Sequence, residues 1–495
     1  MSTIRFAASL CLALTLALAS CGGDVQVEDT HPEVSTSAAL SGDTGDVVVN
    51  STRPDGPTPV VVDADMGGDD MMALLYLLGQ RDVSVLAVTV TGTGLAHCPA
   101  GGANARAILD HVGAEEIPVA CGAVEPLAGS NTLLDEWRDG ADLLGTQLGL
   151  EVPGFEGSGA IDLLIETVAR SSEPVRLLAI GPLTNVALAI DQDPQMLKNL
   201  TEIVIMGGAV GVSGSVDPEY WAEWNFWADP VAANRVLRSG VPITLVPLDA
   251  TNSVPASVFF HEALAAQKAT SSAELVDRFF VVNDFNLVGG AYFFWDPLAA
   301  VAMIDPGVAT YETRHLEVVE EAGVKLGAVV DSPDGPEVRV AIGADRERFE
   351  KAFLTGLNGG VLSTVEVPTP DLMVQFSDAA CTLQGPTTFD AEENTAAVVV
   401  EILNETTGAV AVVFGLHAGV SIEQVKADAA LVGETDEPPS YWEQTGVAVA
   451  FGAPLTGGSA TGRLDLVPGE HAVICSTEDN HLTVAGEVVI DPGSG

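Results

Sequence analysis

Pro59-Val60-Val61-Val62-Asp63-Ala64-Asp65-Met66-Gly67-Gly68-Asp69-Asp70 is the stretch that decides the fold. An apolar run of strand length passes into four carboxylates around a Gly-Gly turn, and an amphipathic segment from Asp70 to Leu78 follows. Outward from it the pattern repeats. Strands are expected near Val60 to Val62, Val83 to Val90, Ile117 to Ala120, Val175 to Ile180, Glu202 to Ile205 and Ile243 to Val246. Helical periodicity fills the intervals near Asp70 to Leu78, Ala103 to His111, Leu183 to Ile190 and Pro230 to Leu237. Strand-helix alternation predicts an α/β domain with a mainly parallel, Rossmann-like sheet covered on both faces. It closes near Gly356 to Gly360.

The carboxylates set the chemistry. Four acids crowded together cannot all stay ionised without a cation, and open α/β sheets place ligands at the C-terminal ends of their strands. Such a cluster suits a hard, oxygen-preferring divalent ion, Ca²⁺ or Mg²⁺. A solvated turn with helix-capping aspartates accounts for Asp69 and Asp70 but leaves Asp63 and Asp65 unexplained.

Strand-Asp-x-Asp-x-x-x-Asp-Asp resembles the N-terminal signature of the inosine-uridine preferring nucleoside hydrolases. Further matches follow in family order: Gly181-Pro182-Leu183-Thr184-Asn185, Val204-Ile205-Met206-Gly207-Gly208, Glu223-Trp224-Asn225 with Ala228-Asp229-Pro230, and Trp295-Asp296-Pro297. The resemblance covers roughly residues 58 to 360. It implies a nucleoside-hydrolase fold and Ca²⁺-dependent hydrolysis of the N-glycosidic bond of ribonucleosides, releasing base and ribose. On matching positions, Asp65, Asp70 and Asp296 would ligate Ca²⁺ through carboxylates and Thr184 through its carbonyl. Asp65 would take a proton from a Ca²⁺-bound water as it attacks the anomeric carbon. Asp69 would hold a ribose hydroxyl, Asn225 the 2'/3' side and Glu223 the 5'-hydroxyl, with Met206 and Trp224 also at the substrate. Asp63 would orient the loop.

The departures are informative. Many family members have His before the last Asp ligand, where this chain has Trp295. The purine-preferring inosine-adenosine-guanosine branch has Trp there and also a Glu-Trp-Asn motif. In that branch the purine lies between two indoles, and the second would be Trp137 in Asp135-Glu136-Trp137-Arg138. Two positions weaken the transfer. Thr93, in Gly92-Thr93-Gly94, stands where many relatives have a ribose-binding Asn, and Ser215 stands where another Asn is expected. His97, beside Cys98, reads as structural.

Acidic residues outnumber basic ones 69 to 20, for a formal charge of −49, which makes nucleic acid and anionic membrane surfaces poor partners. The apolar run from Phe6 to Ala19 after Arg5 has the length of an export signal's core, and Leu18-Ala19-Ser20-Cys21-Gly22 resembles a bacterial lipobox. The expectation is a lipoprotein signal over 1–20, lipidation at Cys21, a flexible tether over 21–57, a hydrolase domain over 58–365 and a β-sandwich over 372–495. The mature enzyme would be exported and lipid-anchored to the cell envelope, working in nucleoside salvage, with homo-oligomerisation left open. After removal of Cys11 and lipidation of Cys21, Cys98, Cys121, Cys381 and Cys475 remain as an even set. Pairing Cys98 with Cys121 and Cys381 with Cys475 keeps each bridge within one domain, though three connectivities are open.

Beyond residue 370 short runs of Val, Ala, Phe and Leu alternate with Gly, Pro and Asp clusters, which predicts a small immunoglobulin-like or cupredoxin-like sandwich. Cys475, His481 and His417 are superficially similar to cupredoxin copper ligands. No Met follows His481, and Cys381 offers Cys475 a disulfide partner, so copper is set aside. Two rival functions remain. A haloacid-dehalogenase-type phosphohydrolase also begins strand-Asp-x-Asp but wants Thr or Val soon after the second Asp, where this chain has Met66-Gly67-Gly68. A non-catalytic nucleoside- or calcium-binding lipoprotein would not need a base beside a bound water.

Overall fold

A computed structural model of the chain describes residues 26–27, 56–216, 221–256, 258–283, 292–361, 371–377, 380–391, 395–404, 410–417, 420–435, 447–450, 458–477 and 482–492. The leader, Cys21, most of the tether and His481 lie outside the described residues. No helix among the described residues is long and apolar enough to cross a membrane.

The first described element is a two-residue strand, β1 (Gln26–Val27), that belongs to a C-terminal sheet. The main sheet is built from β2 (Thr58–Ala64), β3 (Val83–Val90), β4 (Val119–Cys121), β5 (Val175–Ala179), β6 (Leu200–Met206), β7 (Ile243–Val246), β8 (Ala309–Val318), β9 (Val329–Asp331) and β10 (Glu337–Ala344). Their order is β4-β3-β2-β5-β6-β7-β10-β8-β9. The first seven run parallel, and β8 and β9 close one edge in antiparallel pairing. This last edge was not expected from the sequence.

Helices cover both faces: α1 (Gly68–Leu78), α2 (Ala100–His111), α3 (Asp135–Asp142), α4 (Ala160–Arg170), α5 (Thr184–Gln192), α6 (Trp224–Ala228), α7 (Pro230–Leu237), α8 (Val258–Ala266), α9 (Ser271–Val282), α10 (Trp295–Ile304) and α11 (Arg346–Leu357). Side chains alternate across a strand, so each strand feeds two cores. Val60, Val62, Leu178 and Ile180 pack with α1, α2, α9, α10 and α11, whereas Val61, Leu177 and Ala179 pack with α4, α5 and α7. Burial on both faces explains why these strands are continuously apolar in sequence.

From β2 the chain winds outward to β3 and β4, then returns to the other side of β2 for β5, β6 and β7. The direction reverses between β2 and β5, and the gap beyond their C-terminal ends is where open α/β sheets bind ligands. Asp65 follows β2, and Ile180 follows β5.

The C-terminal region is two five-stranded sheets, ordered β1-β17-β14-β11-β12 and β13-β19-β18-β15-β16. Their strands are β11 (Leu372–Ser377), β12 (Ala380–Gln384), β13 (Thr388–Asp390), β14 (Ala396–Asn404), β15 (Val410–Leu416), β16 (Val447–Ala450), β17 (Gly458–Leu466), β18 (Gly469–Thr477) and β19 (Leu482–Asp491). Most pairs are antiparallel; β11 with β14 and β13 with β19 are parallel. Val374, Phe376, Val398, Val400, Val412, Phe414 and Val488 form one core. The region is not purely β: α12 (Ile422–Thr435) lays Val425 against Ala472 and Ile474. Cys381 on β12 is bonded to Cys475 on β18, which ties the two sheets together, and Cys98 is bonded to Cys121.

Candidate active site

The turn after β2 is held by its own acids. Asp70, in the first turn of α1, accepts the backbone N–H of Asp65 at 2.9 Å and of Gly67 at 2.8 Å, folding the Gly-Gly turn back over the helix start. Between them Met66 is buried at φ 61°, a left-handed conformation costly for a side chain of this kind and common where backbone is held for function. Asp65 accepts the Leu95 N–H through Oδ2 at 2.8 Å, and its carbonyl accepts the Ala96 N–H at 2.9 Å. A Cβ on Gly94 would sit 2.1 Å from that same Oδ2, so the approach of this loop to Asp65 requires glycine.

Asp296 arrives from the first turn of α10, some 230 residues later, and completes the cluster. One carboxylate oxygen from each of Asp69, Asp70 and Asp296 lies within 4.8 Å of the others. Tyr292 donates its hydroxyl to Asp69 Oδ1 at 3.4 Å. Burial raises all these carboxyls above their ordinary range, and mutual repulsion raises Asp69, Asp70 and Asp296 further. Asp69 is pushed up to about 7, first by burial and then by the charge of Asp65. Buried, crowded, hard oxygen donors fit a divalent cation, whose charge would reverse this repulsion. Asp63 behaves differently. It accepts Thr89 Oγ1 at 2.5 Å and Asn185 Nδ2 at 2.9 Å and is absent from the cavity wall, so it braces strands rather than facing a ligand.

These acids form the floor of a cavity of about 660 Å³, within the range of small-molecule sites. Asp65, Asp69, Asp70, Met206, Glu223, Trp224, Asn225, Trp137, Trp295 and Asp296 all line it. Asn225 donates Nδ2 to the carbonyls of Ile180 at 3.2 Å and Met206 at 3.3 Å, which fixes its amide between β5 and β6. Glu223 caps α6, its oxygens accepting the N–H groups of Asn225, Gly208 and Phe226. Burial pushes it up to about 7. Trp137, on α3, is 44 % exposed and meets Trp224 edge-on at 5.2 Å, while Trp295 packs on Tyr292 at 5.1 Å.

The structure places the remaining positions as follows. Thr184 does not reach the cavity. Its hydroxyl donates to Asp229 at 2.8 Å and bonds Thr93 at 3.0 Å, and the residue lining the cavity from this turn is Ile180, four positions earlier at the strand end. Asp69 rather than Asp65 completes the tight carboxylate trio, because the Leu95 amide draws Oδ2 of Asp65 toward the neighbouring loop. Thr93 is buried against Thr91 and Thr184 rather than set in the cavity, whereas Ser215 does line it. His97 bonds Asp142 on α3 through both its backbone N–H and its ring, a structural link between its loop and that helix.

Other contributors gave no signal in the sequence. Arg138 is buried, donates to the Gly92 carbonyl at 2.8 Å and lends positive charge to Asp65. Phe279, Asn283 and Tyr292 come from the far end of the domain. Asp229, within a noted motif, could have been found: it caps α7 and accepts from Thr184 and the Leu127 N–H.

The sequence profile of the inosine-uridine preferring nucleoside hydrolases matches residues 60–351. A pyrimidine-specific ribonucleoside hydrolase of Shewanella sp. (strain ANA-3) is 32% identical over 306 residues, covering 59% of this chain and 94% of the relative. Among solved structures, a plant nucleoside hydrolase superposes with a TM-score of 0.55 at 28% identity, over 61% of this chain and 99% of that one. A purine-preferring ribonucleoside hydrolase from Gardnerella vaginalis gives 0.53 at 25% identity, over 61% and 98%. With this profile spanning more than half its length and the aspartate turn at its strand crossover, the chain belongs to the inosine-uridine preferring nucleoside hydrolase family and is an enzyme that hydrolyses the N-glycosidic bond of ribonucleosides.

Proposed function

We propose that the enzyme prefers purine ribonucleosides and works with calcium. The observation carrying this is the sharing of one cavity by the acids Asp65, Asp69, Asp70 and Asp296 and the indoles Trp137 and Trp295. The ribose would lie on the acidic floor and the base among the rings. Asp65, oriented by the Leu95 amide, takes the proton of the attacking water. Asp69 and Asn225 hold ribose hydroxyls, and the surrounding carboxylates stabilise the oxocarbenium-like transition state. Ca²⁺ held by Asp70 and Asp296, with Asp65 and Asp69 beside them, would acidify water and orient the ribose diol. Stacking on Trp137 and Trp295 binds the purine face and favours its protonation by solvent as it departs.

Trp137→Ala should lower kcat/KM for inosine about 10- to 100-fold, the loss of one base-indole stack, and for uridine much less. Equal losses for both would remove the stacking argument. A second reading, pyrimidine preference, is favoured by the Shewanella relative's specificity, and the same pair of substrates decides between them.

Protons compete with calcium for these acids. Asp69, with its carboxyl held near 7, is protonated at pH 5 in the folded chain and must release that proton on binding. Apparent calcium affinity should therefore rise by about tenfold per pH unit for each proton displaced between pH 5 and 7. Without calcium the sign for stability is opposite: the folded state holds protons that the unfolded state has lost above about pH 4, so chelated protein should weaken as pH rises toward 7. Calorimetric titration at pH 5.5 and 7.0, with urea unfolding in chelator, measures both; calcium affinity independent of pH would contradict it.

The domain limits 58–365 and 372–495, export, and lipid anchoring at Cys21 belong to the same proposal. They rest on the apolar leader and the Leu18-Ala19-Ser20-Cys21 motif, and the mass of the mature N-terminal peptide tests them.

A further inference from the structure

The C-terminal sandwich holds a second polar cluster, remote in sequence from the active-site acids. His417 follows the end of β15, with its backbone N–H donated to the Glu470 carbonyl on β18 at 3.1 Å. Glu487 lies on β19, opposite Ala472, two residues from Glu470 and on the same face. One ligand atom each from His417, Glu470 and Glu487 falls within 4.8 Å of the others.

His417 is only 2 % exposed, and its tautomer is set by its surroundings. Nδ1 lies 2.7 Å from the Val420 carbonyl, which can only accept, so Nδ1 carries a proton. In the neutral ring Nε2 is then a lone pair. It lies 2.9 Å from Glu487 Oε1 and makes no hydrogen bond. A buried lone pair facing two carboxylates is repulsive unless a cation lies among them. A carbonyl on one ring nitrogen and an ion on the other is how metal-ligating histidines are ordinarily oriented. Two ligands at about 2.0–2.2 Å from one ion stand about 2.8–3.1 Å apart at octahedral angles and about 3.3–3.6 Å apart at tetrahedral ones, so the 2.9 Å between Nε2 and Oε1 is near the octahedral spacing and would widen slightly in a tetrahedral shell.

We propose that His417, Glu470 and Glu487 bind a divalent first-row transition ion of the zinc type. One imidazole and two carboxylates suit zinc, and their two negative charges balance it. The ion would fasten the segment entering α12 to the β18-β19 hairpin, with water completing the shell. His471, next along β18, is not part of it, since its Nε2 faces the Val467 carbonyl at 2.8 Å.

The test uses the full mature chain, stripped by chelator and held in excess calcium so that the aspartate cluster is filled, then titrated with zinc chloride. One zinc equivalent is expected, weakened at least about 100-fold in His417→Gln and in Glu470→Gln, and unchanged in Asp296→Asn. Glu470 is exposed, so its variant separates ligand loss from misfolding, with near-ultraviolet circular dichroism as the check. The proposal is overturned if no zinc binds more tightly than about 10 µM. It is equally overturned if the zinc equivalent persists in the two ligand variants.

Discussion

Asp65→Asn is expected to lower kcat/KM by about 10²- to 10⁴-fold, the range associated with loss of a positioned base, while the protein stays folded. The amide keeps the volume and can still accept the Leu95 N–H, so the loop contact survives. It cannot take a proton from water. Removing one charge from a buried group of acids also relieves repulsion, so the chelated variant should unfold no earlier than the parent. Asp63→Asn is the contrasting variant. Asp63 bonds Thr89 and Asn185 away from the cavity, so its loss should fall mainly on stability. Steady-state kinetics and thermal unfolding on both variants separate the roles; more than a tenth of parental activity in Asp65→Asn would remove Asp65 as the base.

The second large effect belongs to the other half of the chain. The bridge between Cys381 and Cys475 closes a loop with a sequence separation of 94. On the loop-entropy model its loss destabilises the sandwich by about 4–5 kcal/mol. The Cys98–Cys121 bridge, with a separation of 23, contributes about 3–4 kcal/mol on the same model. The double variant Cys381→Ser/Cys475→Ser should therefore lower the calorimetric transition of the C-terminal region. Nucleoside hydrolysis at 25 °C should be retained, because among the described residues none beyond Asp296 lines the cavity. An unchanged transition, or activity lost in parallel with it, would contradict this division of labour.

Local features were the ones legible in sequence. The strand into Asp63-Ala64-Asp65 and the Gly-Gly turn into α1 are fixed by neighbours within a dozen residues, and periodicity reports them directly. The motif residues Asn225, Trp295 and Asp296 could be assigned to the site because they fall in short blocks at strand or helix ends. What escaped depends on distance in the chain. Tyr292 reaches Asp69 across 223 positions, and Arg138 closes on Gly92 across 46, so no local pattern marks either. Thr184 shows a limit of local reading: strand β5 ends at Ala179, Thr184 already lies in α5 with its hydroxyl donated to Asp229, and the residue that lines the cavity from this turn is Ile180. Helix α12 was missed because its 14 residues sit among short β-like runs whose texture dominated the reading. The β8-β9 edge was missed because β8 is largely exposed and shows little apolar alternation.

The most direct test is release of free base and ribose from inosine, adenosine, guanosine, uridine and cytidine by the mature protein, with calcium and with chelator. The account predicts calcium-dependent cleavage with kcat/KM for the purine nucleosides above that for uridine and cytidine. Cleavage undiminished by chelator would contradict the role given to Asp70 and Asp296, and faster cleavage of uridine and cytidine would contradict the indole pocket.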